Sequence, residues 1–414
     1  MRFHQPFLTL ALTGLLLLHI GNSSDAENWT RFRGPNGTGL SKQKGFPTSW
    51  NRNDYAWVID ISGMGHSSPV VWKDYLFLTT AEKQGRVRKT ICLDSRTGVA
   101  RWSREIAMKS NHNHRKGSWA SPSPATDGKR VYTVFCDAEK YLLVAYTLDG
   151  QFVWQKDLGT YKSQHGHGVS PIVYDGKVIL TNNQQGPSSV TAFDAKTGEI
   201  VWNTVQAVRR AAYSTPFIHH VEGEPQVICA SGAGGLTALN PQDGKVIWKT
   251  HQFPQRTVAS PILSNGLIVQ SCGSGGRGTL LIAVDPSGRG EVDATHVRFR
   301  RKRSIPYVPT PISYNKLLFL LNDNGVLICM DLNTSREIWK MQLGANFSGS
   351  PICIDGKLYL ISEAGDVRVI SADREKKDYG TVSLGDPSYT TPAVSGGKLY
   401  FRTFHKLFCL PVKG

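Results

Sequence analysis

Two histidine pairs, His112-x-His114 and His165-x-His167, have the spacing that puts both imidazoles of a pair on one face of an extended segment. That is also metal-ligand spacing. Yet neither pair has a nearby Asp, Glu or Cys, and Arg115-Lys116 opposes a cation, so polar loop histidines are expected and no metal. Other catalytic signatures are missing. The chain has no Gly-x-Ser-x-Gly elbow, no Gly-Lys-Ser/Thr phosphate loop and no His-Glu-x-x-His helix. Ser274-Gly275-Gly276-Arg277-Gly278 is Gly-rich but opens no helix, and reads as a flexible hairpin. Arg298, Arg300, Arg301, Lys302 and Arg303 fall within six residues and read as a solvated basic loop, with an anionic partner as the sharper alternative.

A second set of residues is marked by eight Ser-Pro or Thr-Pro dipeptides, whose prolines are Pro69, Pro124, Pro171, Pro216, Pro261, Pro311, Pro351 and Pro392. Three to five positions before them stand His66, Trp119, His167, Tyr213, Arg256, Tyr307, Phe347 and Tyr389. Seven of these eight are aromatic or imidazole, in a chain that is only 10% aromatic. Arg209, Arg210 and Arg303 lie around them. If the eight loops converge, they form a cationic, aromatic-lined mouth suited to an anion, a sugar or a peptide segment. The alternative is that the rings pack on one another and plug it. No catalytic residue is expected among them.

The elements that would position these loops are legible as a repeat. Val190 to Trp202 reads as strand, Lys196-Thr197-Gly198 turn, strand, with Ala192 ten positions before Trp202. Cys92 and Trp102, Ala238 and Trp248, and Cys329 and Trp339 keep the same separation. The eight prolines are (392 − 69)/7, about 46 residues, apart, the length of a four-stranded propeller blade. Proline at the first residue of a strand removes no ladder hydrogen bond. The last copy lacks its fourth strand, while the strand around Trp57 has no first half before it. Residues 51–414 are therefore expected to form an all-β, eight-bladed propeller, closed by an N-terminal strand that completes the C-terminal blade.

Residues 27–50, dense in Gly and Pro around Trp29–Gly39, are expected to cross the propeller surface as an extended arm. Residues 1–26 read as a signal peptide, because the apolar run from Phe7 to Ile20 is short for a bilayer and Ser24-Asp25-Ala26 follows it. The expectation is an exported, periplasmic or secreted, soluble protein with no transmembrane segment. Export argues against nucleic acid as a partner despite the formal net charge of +16. The seven cysteines cannot all pair, and several occupy the small-residue slot of the repeat, so they read as packing groups.

The pattern Ala-x-Asp-x-x-Thr-Gly-x-x-x-Trp, held around eight blades, resembles the repeat of the pyrroloquinoline-quinone (PQQ)-like propeller family. The resemblance spans about residues 50–410, and the arm resembles that of exported bacterial PQQ-like repeat proteins. Two blades depart: Asp285-Pro286-Ser287-Gly288 has no Trp where one is due, and Asp373-Arg374-Glu375 has neither Thr-Gly nor Trp. The family resemblance implies one of two kinds of protein. The dehydrogenases use PQQ with calcium, an Asp base and often a disulfide between adjacent cysteines. The outer-membrane assembly propeller binds protein segments and no quinone. This chain has no Cys-Cys pair and looks like the second kind. A non-enzymatic scaffold is thus expected, without cofactor, for a protein segment or an anionic or carbohydrate polymer. A small PQQ and calcium oxidoreductase, or a carbohydrate-binding or carbohydrate-active propeller, is the alternative.

Overall fold

The computed structural model describes Met1 and residues 27–208, 210–232 and 234–413; of the expected signal peptide, residues 2–26 lie outside the described residues. The described chain contains no α-helix and forms eight sheets, each of four antiparallel strands, with a short fifth strand added in parallel in two of them. Blades 1 to 8 run outward from innermost strands that begin at Val70, Ala125, Ile172, Phe217, Ile262, Ile312, Ile352 and Ala393. Blade 8 consists of Ala393–Ser395, Lys398–Arg402 and Lys406–Pro411, and its outermost strand is Trp57–Asp60. Trp57 lies opposite Cys409 in antiparallel register, so the N-terminal strand closes the ring as the repeat arithmetic requires.

The ten-residue separation has a direct physical cause. Cys92 lies opposite Trp102, Ala192 opposite Trp202, Ala238 opposite Trp248 and Cys329 opposite Trp339. A small side chain on one strand leaves room for the indole on the next. In three of the four the indole then reaches the neighbouring blade, while Trp248 Nε1 donates to Gln226 Oε1 at 2.9 Å within its own blade. Trp102 Nε1 donates to the Leu148 carbonyl at 2.7 Å, Trp202 Nε1 to Pro241 at 3.0 Å and Trp339 Nε1 to Asp373 at 2.9 Å. Its ring lies against the turn glycine there: a Cβ on Gly150, at φ +82°, would fall 2.6 Å from the Trp102 ring. That is why the turn needs Gly as well as positive φ.

At the two departures the contact changes while the ring persists. In blade 5 Phe299 lies opposite Ala283, and Gly290–Glu291 pairs in parallel with the outer strand of blade 4. In blade 7 Gly380 takes the indole position, opposite Val369. The expected basic loop of blade 5 is largely a strand, Val297–Arg301, with Arg298 paired to Asp285 at 3.0 Å and Arg301 to Glu337 at 2.9 Å. All seven cysteines are buried and unpaired.

The hydroxyl before each proline ties blade to blade. The N–H groups of Thr391, Ser68 and Ser123 donate to the hydroxyls of Ser68, Ser123 and Ser170. Those of Thr215, Ser260, Thr310 and Ser350 donate to Ser260, Thr310, Ser350 and Thr391. All seven bonds are 2.8–3.0 Å long. Among the described residues, only the link from Ser170 to Thr215 is missing from the circle.

The arm corrects one expectation. It enters the axis of the ring rather than crossing its surface. Trp29 is fully buried, its backbone pairing with Val71. Arg31 Nη2 donates to the Pro216 carbonyl at 2.6 Å, and Arg33 Nη1 to Pro311 at 2.9 Å. Asn36 bonds both the N–H and the carbonyl of Ile218, and Leu40–Ser41 pairs in parallel with Ile352–Ile354. The innermost strands of a propeller present free backbone carbonyls to the axis, and the arm supplies the donors that satisfy them.

Candidate functional site

A cavity of about 570 Å³ lies inside the ring. His66, His167, Tyr213, Arg256, Tyr307 and Tyr389 line it together with Arg210, and Phe32 of the arm reaches it from the sealed end. Three expected residues among the described ones are not on its wall. Trp119 packs between blades 1 and 2, its Nε1 donating to the Asn111 carbonyl at 2.8 Å. Phe347 is 2% exposed in the apolar core of blades 6 and 7. Arg303 is exposed just beyond the outer strand of blade 5, where its carbonyl accepts from Arg301 Nε. Arg209 lies outside the described residues. The misplacements share a cause: counting back from a proline fixes a loop but not which loop side chain turns inward.

The wall combines neutral imidazoles, phenols and guanidiniums. His66 stacks on Phe404 at 5.1 Å and meets Tyr389 edge-on at 5.0 Å. Burial, aided by the Arg402 charge, pushes its pKa down to about 3. His167 is likewise pushed down to about 3 by burial, and its Nε2 bonds the Tyr141 hydroxyl at 2.8 Å. Arg256 donates Nε to the Ala211 carbonyl at 2.9 Å and holds its guanidinium 5.7 Å from the Tyr213 ring centre. The Tyr213 hydroxyl pairs with Ser163 at 2.6 Å.

Several lining groups had no proline marker. His114 and His165, one from each histidine pair, meet edge-on at 4.7 Å. Burial first, then the Arg256 charge, pulls His165 down to about 4. Arg115 and Lys116 line the cavity beside them, Lys116 paired to Glu363 at 2.6 Å. The Gly275-Gly276 turn, a hairpin between Leu267–Ser274 and Arg277–Val284, also reaches the wall. Asp323 was the least foreseeable. Burial raises its pKa to about 6, although its carboxylate accepts the N–H of Tyr307 at 2.8 Å and of Val308 at 3.3 Å. Its only sequence signal is the Asn322-Asp323-Asn324-Gly325 turn.

This wall does not suit a calcium-held quinone. Calcium takes six to eight oxygen ligands, carboxylates prominent among them. Among the described residues Asp323 is the carboxylate on this wall, its oxygens already engaged by backbone N–H groups, and it shares the wall with Arg115, Lys116, Arg210 and Arg256. Among the described residues no group of three or more His, Cys, Asp or Glu could hold a metal.

The fold is shared with solved structures of both kinds. Quinohemoprotein alcohol dehydrogenase from Comamonas testosteroni matches with a TM-score of 0.69 at 13% identity, over 94% of this chain and 81% of that one. BamB from Moraxella catarrhalis matches with a TM-score of 0.58 at 12% identity, over 85% of this chain and 97% of that one. At the level of sequence, the outer membrane protein assembly factor BamB of Yersinia pestis is 24% identical over 325 residues, 77% of this chain and 67% of that protein. The family model described as outer membrane protein assembly factor BamB matches residues 89–306 and 277–403. With most of the propeller matched, the chain belongs to that family.

Proposed function

We propose that this protein is a non-enzymatic binding propeller that works outside the cytoplasm and receives a segment of a partner protein at the open end of its axial cavity. One observation carries the reading: the arm seals one end of the axis, while aromatic rings and guanidiniums converge on the cavity above it. Such a surface offers both apolar anchoring and attraction for acidic groups, the ingredients of a small interaction hot spot. The Yersinia relative, named as an assembly factor of the outer membrane, supports a protein partner.

The test is photo-crosslinking in the native envelope, with the photoreactive residue at Tyr389 or Arg210 and, as control, at the exposed Lys44 of the arm. Adducts with discrete envelope proteins from the first two positions and not the third are expected. Adducts from Lys44 alone would move the binding face to the arm side. Purified protein given PQQ and calcium should show no dye-linked oxidation of alcohols or sugars above a heat-killed control, and steady turnover would replace the scaffold reading with an oxidoreductase.

A further inference from the structure

The circle of hydroxyls that joins the blades has a chemical consequence beyond stability. A hydroxyl carries one donor proton and two lone pairs. Those of Ser68, Ser123, Ser170, Thr310, Ser350 and Thr391 each accept a backbone N–H from the preceding blade, and none donates its proton to a protein acceptor among the described residues. All six line the axial cavity. A ring of uncommitted O–H donors therefore surrounds its base.

Charge beneath this ring has the matching sign. Arg31 and Arg33 bond the carbonyls of Pro216, Pro311 and Pro351, the residues that directly follow Thr215, Thr310 and Ser350. Both guanidiniums are buried, neither has a carboxylate partner among the described residues, and the Nε of each makes no hydrogen bond. Two like charges in a low-dielectric core repel each other, and an anion on the axis relieves that repulsion. Above the ring, His66 has both ring nitrogens unpartnered and His167 has its Nδ1 unpartnered, each imidazole being more than nine-tenths buried. Arg115, Arg210 and Arg256 add positive charge on the wall. Opposing them is Asp323, whose oxygens already accept backbone N–H groups.

We infer that the base of the axial cavity is a receptor for an oxyanion group (sulfate, phosphate or carboxylate), held by the hydroxyl ring over the two arm guanidiniums. Donors without competing acceptors select an acceptor-only group, and a neutral polyol lacks the charge that the arginines match. The inference rests on the axial cavity being a ligand site and is independent of whether a partner protein also docks there.

The experiment is calorimetric titration of the whole chain with inorganic sulfate, inorganic phosphate and acetate, at an ionic strength held constant with chloride. Saturable one-site binding of at least one of the three is expected. If none binds above chloride, the inference fails, with the crosslinking result untouched. Glucuronate against glucose then tells the source: tighter binding of glucuronate than of acetate places the group on a sugar, and equal affinity identifies the free ion, both supporting the receptor. Ser260 supplies a matched control, because it accepts the Thr215 N–H as the others do but does not line the cavity. Ser350→Ala and Ser123→Ala should each weaken anion binding about tenfold, while Ser260→Ala costs similar stability and leaves affinity unchanged. Equal losses of affinity in Ser260→Ala and Ser350→Ala would overturn the assignment.

Discussion

The two ends of the axis use the same side chain for opposite purposes. At the arm end Arg31 and Arg33 are buried, and Arg31 Nη2 and both terminal nitrogens of Arg33 donate to carbonyls of blades 4, 6 and 7. At the loop end Arg115 and Arg210 are exposed and form no ion pair among the described residues. A guanidinium with its donors committed holds strands together; one with donors uncommitted is available to a ligand. Sealing of the axis therefore depends on the arm, and docking of a partner on the loops.

The largest effect should come from breaking the sealed end. Trp29 is fully buried against the Gly34 backbone, where a Cβ would meet its ring at 2.4 Å. Trp29→Ala should cost about 3–5 kcal/mol in denaturant unfolding, as truncation of a buried aromatic does. No change at an exposed or half-buried position of the open end should approach that loss. Unchanged unfolding in Trp29→Ala would mean the arm merely rests on the ring.

Acid should weaken the loop end specifically. The folded pKa values of His66 and His167 lie near 3, below the unfolded value of about 6.5, so the stability linked to them is present above pH 6.5 and is lost as pH falls towards 3. Asp323 runs the other way: raised to about 6, its contribution is full below pH 4 and is lost as pH rises through 6. His167→Gln should flatten the acid limb of a stability profile by a few kcal/mol, and Asp323→Asn should flatten the opposing slope between pH 4 and 6 by up to about 2 kcal/mol. An acid limb of unchanged slope in His167→Gln would show that its imidazole is hydrated in the folded state.

Much of the ring was legible from residue type and spacing, since the Ser/Thr-Pro marker recurs eight times and the small-residue and Trp packing in most blades. Trp57 without a first half and a last blade without a fourth strand could be matched by counting alone. The circle of N–H to hydroxyl bonds was not. The proline advertised the strand start, while the Ser or Thr before it looked like ordinary turn chemistry. The arm was misplaced because Gly and Pro exclude regular structure without saying what irregular structure packs against. At the site, Asp323, His114 and His165 escaped because they approach the axis from turns and excursions that differ between blades. Trp119 and Phe347 were included because an aromatic side chain before a proline can turn into a blade seam as readily as into the cavity.

A smaller effect separates the arginines of the two ends. Arg33→Met removes charged donors from buried carbonyls that no solvent can reach, and should destabilise by about 2 kcal/mol. Arg256→Met removes a bond to the Ala211 carbonyl, a longer one to Gln164 Oε1 at 3.3 Å and the contact with Tyr213, and should cost about 1 kcal/mol. The order of the two losses is the measurement that matters. Arg256→Met costing more than Arg33→Met would erase the division between a structural and a receptive end.

The smallest change in stability should accompany the largest selective change in binding. Tyr389 is half-buried on the cavity wall, held by edge contacts to His66 and Phe404 rather than by a hydrogen bond of its hydroxyl among the described residues. Tyr307, by contrast, is buried against Gly273, where a Cβ would meet its ring at 2.6 Å. Tyr389→Ala should therefore lower stability by about 1 kcal/mol or less, and Tyr307→Ala by several times that. If the open end anchors a partner through its rings, Tyr389→Ala should weaken capture of the crosslinked partner by about 2 kcal/mol at any salt concentration. Reversing Arg210 to Glu should act chiefly at low salt, because an exposed charge steers association more than it holds the complex. Tyr389→Ala with full affinity, measured on folded protein, would show that the rings of the open end pack on one another and that the partner docks elsewhere on the ring.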